Sequence, residues 1–304
     1  VSTFWSARSN ETASNGTVSD SMSQATLGAP LHFEGIGLHT GTHSIVDVLP
    51  APENSGIVFD LDDPRMPGAR VRVAAVAENV MDTSRATVIG RDGASVSTTE
   101  HLLSALFASG VTNVDIRVRG REIPIADGSA RSFVDAISAA GVVPQRAPRA
   151  VLQLDEPFAL TAGDRTIVAL PADAFRVRFV ADFPAPIGIE YYDGAVDAKR
   201  YGEEIAGART FGYLHEVEAL RARGLALGGS LETAIVFAPN GPMQPLRWDN
   251  EVVRHKVLDL IGDFALLGAW PQCDVIAIKS GHELHASATR ALRARMLKGG
   301  PCPS

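Results

Sequence analysis

Strands precede helices twice in this chain, once on each side of a proline-bounded stretch at Pro144-Gln145-Arg146-Ala147-Pro148. Before it, the span Leu31 to Leu49 reads as two strands around a turn. Gly56–Leu61, Val71–Val73 and Ala86–Ile89 follow as short strands of β-branched and aromatic residues. A helical run then carries Leu102, Leu103, Leu106 and Phe107 and stops at Gly110. Val114–Arg119 alternates like a half-buried strand, and a helix through Phe133, Ala136, Ile137 and Ala140 closes at Gly141. After the stretch the plan restarts with strands at Val151–Leu154, Phe158–Leu160, Thr166–Leu170 and Val177–Val180. Residues 186–197 read as a loop and 200–208 as a short helix. A helix follows with Leu214, Val217 and Leu220 on one face and Gly224 as its stop. Ala234–Phe237 and Cys273–Ile278 are the remaining strands, and a helix through Leu292 and Met296 ends the chain. This order implies two α+β domains of similar plan. We divide the chain into a leader at 1–22, an N-terminal domain at 23–146 and a C-terminal domain at 147–304.

Composition excludes several function classes. The 304 residues carry 28 Lys and Arg against 35 Asp and Glu, a net charge of −7, which argues against a nucleic-acid partner. No apolar run reaches the roughly 18 residues of a membrane span. The first 22 residues are rich in Ser, Thr and Asn and lack the apolar core of a secretory signal, so disorder or a targeting remnant is expected there. Cys273 and Cys302 are too few and too far apart for a Cys-based zinc site, and they suit a reducing compartment. There is no Walker loop, and Gly228-Gly229-Ser230-Leu231-Glu232 breaks the serine-nucleophile elbow at its last position.

What remains is a set of His, Asp and Glu. Arg254–Phe264 is helical by the spacing of Val257, Leu258, Ile261 and Phe264, and His255, Asp259 and Asp263 stand four apart on one stripe. An imidazole and a carboxylate one turn apart can reach one cation. Ser97-Thr98-Thr99-Glu100 reads as a capping box ahead of the Leu102 helix, with His101 next to Glu100. A capping glutamate and a helical histidine need no further role. A zinc ligand beside a carboxylate base is also a common hydrolase layout. The residues by themselves leave both readings open.

Several separated blocks, from about Thr26 to Ala294, resemble one family, the UDP-3-O-acyl-N-acetylglucosamine deacetylases, zinc amidases of the lipid A pathway. The blocks are Gly35-Ile36-Gly37-Leu38-His39-Thr40-Gly41, Thr98–Leu106, Glu122–Ala130, Ala208-Arg209-Thr210-Phe211-Gly212, Gly228-Gly229-Ser230, Arg254–Asp263 and Lys279-Ser280-Gly281-His282. The resemblance implies two domains, each a two-layer sandwich of sheet and helices, with the active site at the domain interface. It implies one catalytic Zn²⁺ on His101, His255 and Asp259, and Glu100 as the base. Thr210 would donate to the oxyanion, His282 would be the acid and Asp263 would hold His282 charged. Lys256 would meet the nucleotide diphosphate or the developing charge, and Lys279 would do similar work. Phe211 would pack on the sugar. Gly212–Gly229, with Leu214, Val217, Leu225 and Leu227, would form an apolar acyl passage. The substrate implied is UDP-3-O-acyl-N-acetylglucosamine, and the enzyme a monomer. Its location would be the cytoplasm, or the mitochondrion for a plant or algal chain. Two rivals remain: an inactive relative that binds acylated nucleotide sugars, and a zinc amidase for another N-acetyl sugar.

Overall fold

The computed structural model describes residues 23–299. The leader at 1–22, with its expected disorder, and Cys302 lie outside the described residues. In chain order the first half contains β1 (Ser23–Leu27), β2 (Leu31–Ile36), β3 (His43–Pro50), β4 (Ile57–Asp62), β5 (Arg70–Ala74), β6 (Val80–Asp82), β7 (Val88–Arg91), β8 (Ala94–Val96), α1 (Glu100–Ala108), β9 (Val114–Arg119), α2 (Arg131–Ala140) and β10 (Val142–Pro148). The second half contains β11 (Val151–Gln153), β12 (Phe158–Ala162), β13 (Arg165–Pro171), β14 (Arg176–Phe183), β15 (Gly188–Ala195), α3 (Ala198–Glu204), β16 (Phe211–Tyr213), α4 (Leu214–Ala222), β17 (Ile235–Ala238), β18 (Gly241–Pro242), α5 (Glu251–Ala265), β19 (Trp270–Ile278) and α6 (His282–Gly299).

The two halves share one topology. The first sheet runs β2-β3-β9-β4-β5 and the second β12-β13-β19-β14-β15. In each, the strand that follows the buried helix, β9 after α1 and β19 after α5, enters the middle of the sheet. It lies antiparallel to one neighbour (β3, β13) and parallel to the other (β4, β14). The expected pair of similar α+β domains is therefore present. The proline-bounded stretch is not a free linker. It is strand β10, antiparallel to β1, and the expected boundary at 146/147 falls inside it. β11 then joins the second sheet beside β19, so we place the passage between halves at Arg149–Ala150, between β10 and β11.

Residues 186–197 are also not a loop. Residues 188–195 form β15, paired along its length with β14. The alternation is inverted, with Ile189 and Tyr191 exposed while Glu190 turns inward and accepts a hydrogen bond from the Val253 N–H at the start of α5. Apolar residues outside and a carboxylate inside disguise the strand.

The helices of the two halves face each other, α1 against α5. All nine residues of α1 are buried, and in α5 only Arg254 and Lys256 are not. Leu102, Leu103, Leu106, Leu258, Ile261 and Phe264 lie in the one core that joins the halves. Each such side chain contributes roughly 1.5–3 kcal/mol relative to its exposed state. The polar stripe of α5 thus lies in the interior, not on a wet face. The contact is close because Gly262 has no side chain: a Cβ there would stand 2.1 Å from the Glu100 carbonyl oxygen. Gly262→Ala must push α1 off α5, at a cost of about 1–3 kcal/mol. Gly202→Ala in α3 meets only Val134, at 4.0 Å. It should stabilise by roughly 0.4–1 kcal/mol. Thermal unfolding of the two variants should therefore shift in opposite directions; equal shifts would refute the tight-contact argument.

Candidate active site

The first turn of α1 and the middle of α5 meet at a buried cluster. One ligand atom each from His101, His255 and Asp259 can be chosen so that all three lie within 4.8 Å of one another. The imidazoles of His101 and His255 stand edge to face, 5.1 Å between centroids. Burial holds both below the usual histidine range, His101 at about 3, with His255 adding to the effect on His101. Both are therefore neutral and have a lone pair to give. The His255 Nδ1–H donates to the Ala208 carbonyl, 3.0 Å away, which leaves the Nε2 lone pair free for a metal ion. His101 Nδ1 is buried with no hydrogen-bond partner. Burial alone would raise Asp259, yet the Lys256 ammonium and the charged His282 hold it far below the carboxylate range. Its Oδ2 accepts from Lys256 Nζ at 2.6 Å. Two neutral imidazoles, one of them with an orphaned ring nitrogen, and an anionic carboxylate are a donor set that fits a divalent metal ion.

The expected capping box is not formed. The residue ahead of α1 is Thr99, which makes no side-chain cap. The Glu100 carboxylate turns instead into the site, where Oε2 accepts from the Thr87 N–H at 3.1 Å. Burial pushes Glu100 up to about 8, opposed by His282. Thr98 holds a left-handed φ of 57°, unusual for a β-branched residue, and its hydroxyl donates to Glu122 at 2.8 Å. The buried Glu122 also accepts from the His39 and Thr40 N–H groups, at 2.9 and 2.8 Å. One carboxylate thereby ties the 37–41 turn to the start of α1.

His282 enters from the first turn of α6. Its Nε2 lies 3.9 Å from Glu100 Oε1 and 3.8 Å from Asp259 Oδ2, and its Nδ1 is 2.8 Å from Asp263 Oδ2. Burial would lower His282, but Asp263 and Asp259 prevail and raise it to about 9. Burial would in turn raise Asp263, and His282 with His285 holds it at about 2. The stripe on α5 is therefore divided, with His255 and Asp259 grouped with His101 and Asp263 bonded to His282.

A cleft of about 980 Å³ opens from this cluster. Thr210, Phe211 and Lys256 line it near His255, and Thr83, Ser84 and Arg85, between β6 and β7, form another wall. Thr210 is set by a doubly bonded ion pair: Arg209 Nε and Nη2 donate to the two oxygens of Glu251 at 2.9 and 3.0 Å. Its lining also includes a group of apolar residues, Leu214, Val217, Leu220, Ala226, Val236 and Met243, with the charged Glu216 and Arg221 of α4 among them. No residue of α4 is buried, so its leucines face the cleft or solvent rather than a core. Leu225 and Leu227 do not line the cleft. Lys279 does not line it either. Its ammonium is held by Asp164 and Asp182 at 2.9 and 2.8 Å.

Sequence reasoning passed over Thr87 and His285. Thr87 sits in an ordinary β-rich run with no local signal. His285 stands one helical turn after His282, a spacing that was available.

A buried His–His–Asp group able to hold a metal ion, with a carboxylate and a charged imidazole beside it, fits a class: metal-dependent hydrolases. The chain belongs to the UDP-3-O-acyl N-acetylglycosamine deacetylase family, whose model matches residues 24–294. It is 44% identical over 265 residues to the UDP-3-O-acyl-N-acetylglucosamine deacetylase of Syntrophotalea carbinolica, covering 86% of this chain and 85% of the relative. The enzyme of that name from Phenylobacterium zucineum is 43% identical, over 90% and 94% of the two chains. The one from Geotalea uraniireducens is 42% identical, over 90% and 89%.

The ligand set makes a direct prediction. Elemental analysis should find one metal ion per chain in the purified wild type and little in His101→Ala, His255→Ala or Asp259→Ala. Retention of full metal by any of them would remove that residue from the set.

Proposed function

We propose that this chain removes the N-acetyl group of UDP-3-O-acyl-N-acetylglucosamine, giving the UDP-3-O-acyl-glucosamine and acetate, the committed step of lipid A biosynthesis. One observation carries the mechanism: Glu100 and His282 approach to 3.9 Å of each other beside the His101–His255–Asp259 set, and all five line one cleft that also carries apolar residues of α4. The proposed cofactor is a single Zn²⁺ held by those three residues; when bound, it supplies Lewis acidity to the amide carbonyl and to water.

The protein's own groups do the rest. Glu100 takes a proton from the attacking water. Its raised basicity suits that task, and a cation beside it would bring its pKa down toward neutrality. The Thr210 hydroxyl donates to the oxyanion as the carbonyl carbon becomes tetrahedral. His282, charged through Asp263, gives its Nε2 proton to the amide nitrogen as the C–N bond breaks, so that the amine leaves neutral. Lys256 holds Asp259 charged and presents a cation to the substrate. Phe211, edge-on to Phe183 at 5.1 Å, offers a ring to the sugar. Leu214 and the backbone at Gly229 lie on the wall proposed for the acyl chain. Lys279 belongs to this reading only if it leaves its two aspartates.

The reading extends to a monomer, because one chain supplies every proposed site residue, and to the cytoplasm of a bacterium, where the quoted relatives come from. Among the described residues no helix is long and apolar enough to cross a membrane. An inactive relative would need one of Glu100, His101, His255, Asp259 or His282 replaced, and all five are in place.

The decisive experiment is Glu100→Ala, assayed for zinc and for acetate release from the UDP-3-O-acyl substrate. Zinc should remain, and turnover should fall about 10²–10⁴-fold. Loss of zinc would make Glu100 structural, and undiminished turnover would sink the mechanism. A pH profile tests the acid. His282 must be protonated to act, so activity falls as pH rises through its pKa. Asp263→Asn removes the charge that raises it, and the alkaline limb of kcat/KM should move to lower pH. An unmoved limb would separate Asp263 from the acid.

A further inference from the structure

Asp263 holds two imidazoles, and the mechanism above uses one. Its Oδ2 is 2.8 Å from Nδ1 of His282 and also 2.8 Å from Nδ1 of His285. Its Oδ1 accepts from the Thr87 hydroxyl. His285 is wholly buried, on the same first turn of α6 as His282, and its ring lies nearly perpendicular to the His282 ring at 6.1 Å between centroids. The other nitrogen of His285, Nε2, is 2.9 Å from the hydroxyl of the buried Ser280. A neutral imidazole beside a carboxylate donates from the nitrogen that faces it. His285 is therefore the Nδ1–H tautomer, and Nε2 accepts the Ser280 proton. Every polar atom of His285 is matched, and none reaches the cleft.

We infer that His285, fixed by Ser280, is a positioning residue for the acid: it pins the Asp263 carboxylate in the one orientation that presents Oδ2 to His282. A carboxylate on a helix has a soft terminal torsion and two equivalent oxygens. Thr87 holds one oxygen and His285 the other. The two donors approach from different elements, one from the first half of the chain and one from α6, so the carboxylate plane is determined. His282 then has a single place to put Nδ1, and Nε2 faces the gap between Glu100 and Asp259 where the leaving nitrogen must lie. Ser280 completes the chain Ser280–His285–Asp263–His282, which runs from the exit of β19 into the site.

This inference rests on His282 as the acid. The test compares His285→Asn, His285→Gln, His285→Leu and His282→Ala in steady-state deacetylation of the UDP-3-O-acyl substrate, with zinc content and thermal unfolding measured on each. An asparagine amide nitrogen falls near the position of Nδ1 and can still donate to Asp263. A glutamine amide falls near Nε2 and cannot. With Leu and Gln, kcat should fall roughly 10–100-fold, with KM within about twofold and zinc unchanged. With Asn, most of kcat should return. In an Asp263→Asn background, His285→Leu should cost little more, since the two act through one contact. Equal losses for Asn and Gln, or undiminished kcat in the Leu variant while His282→Ala is impaired, would overturn the positioning role alone. Full kcat in His282→Ala would overturn the acid assignment beneath it. If the Leu variant fails to fold, the Asn and Gln pair carries the comparison.

Discussion

The contact between Gly262 on α5 and the Glu100 backbone on α1 is the constraint on which the rest of the molecule depends. The proposed ligand set takes one member from α1 and two from α5, so it exists only if two helices from different halves come closer than side chains normally allow. A glycine at the crossing permits that approach, and the buried leucines and isoleucines around it supply the free energy that holds it. Duplicating one sheet-and-helix plan makes the arrangement economical. Two similar layers, each with an apolar helix face, bury those faces against each other, and the seam between them becomes the interior where metal chemistry is strongest.

Such a seam is an unfavourable place for charge. Asp259, Asp263, Glu100 and His282 are taken from water at a cost that must be offset locally. The structure does so by giving the polar atoms there specific partners. Lys256 neutralises Asp259, and Ala208 accepts from His255. Thr87 serves Glu100 through its N–H and Asp263 through its hydroxyl, and Asp263 is shared by two histidines. The loop that brings Ala208 and Thr210 to the site is itself tied by Arg209 to Glu251, at the head of the helix that carries His255. Exceptions among the described residues are the Nδ1 atoms of His101 and of His39, which lines the same cleft, both left without a protein partner.

The fold was legible in the sequence wherever alternation and helical spacing had the usual sense. β9, the strands β2 and β3, and the helices α1, α2 and α5 read correctly because their apolar residues face the core. β15 was missed because Ile189 and Tyr191 point to solvent and Glu190 points inward to cap α5. β10 was taken for a linker because its prolines suit one, and its pairing with β1 is formed across more than a hundred residues. The capping box at Ser97–Glu100 failed for a similar reason. A local motif lost to a tertiary demand, since Glu100 is turned toward Thr87 and the site.

The sequence by itself determined the chemistry on offer: which residue types stand in which order, that two of them share one face of a helix, and which family those blocks resemble. That information is local or sequential, and it survives without coordinates. Only the tertiary structure decided how the blocks combine. It brought Glu100 and His282 together beside the proposed ligand set, divided the α5 stripe, added Thr87 and His285, and removed Lys279 to a pair of aspartates. The physical reason is distance. Hydrogen bonds and charge pairs act over a few ångströms, while groups they join at the site, Thr87 and His282, are separated by 195 residues of chain. No period or motif in a sequence reports such a meeting before the core has packed.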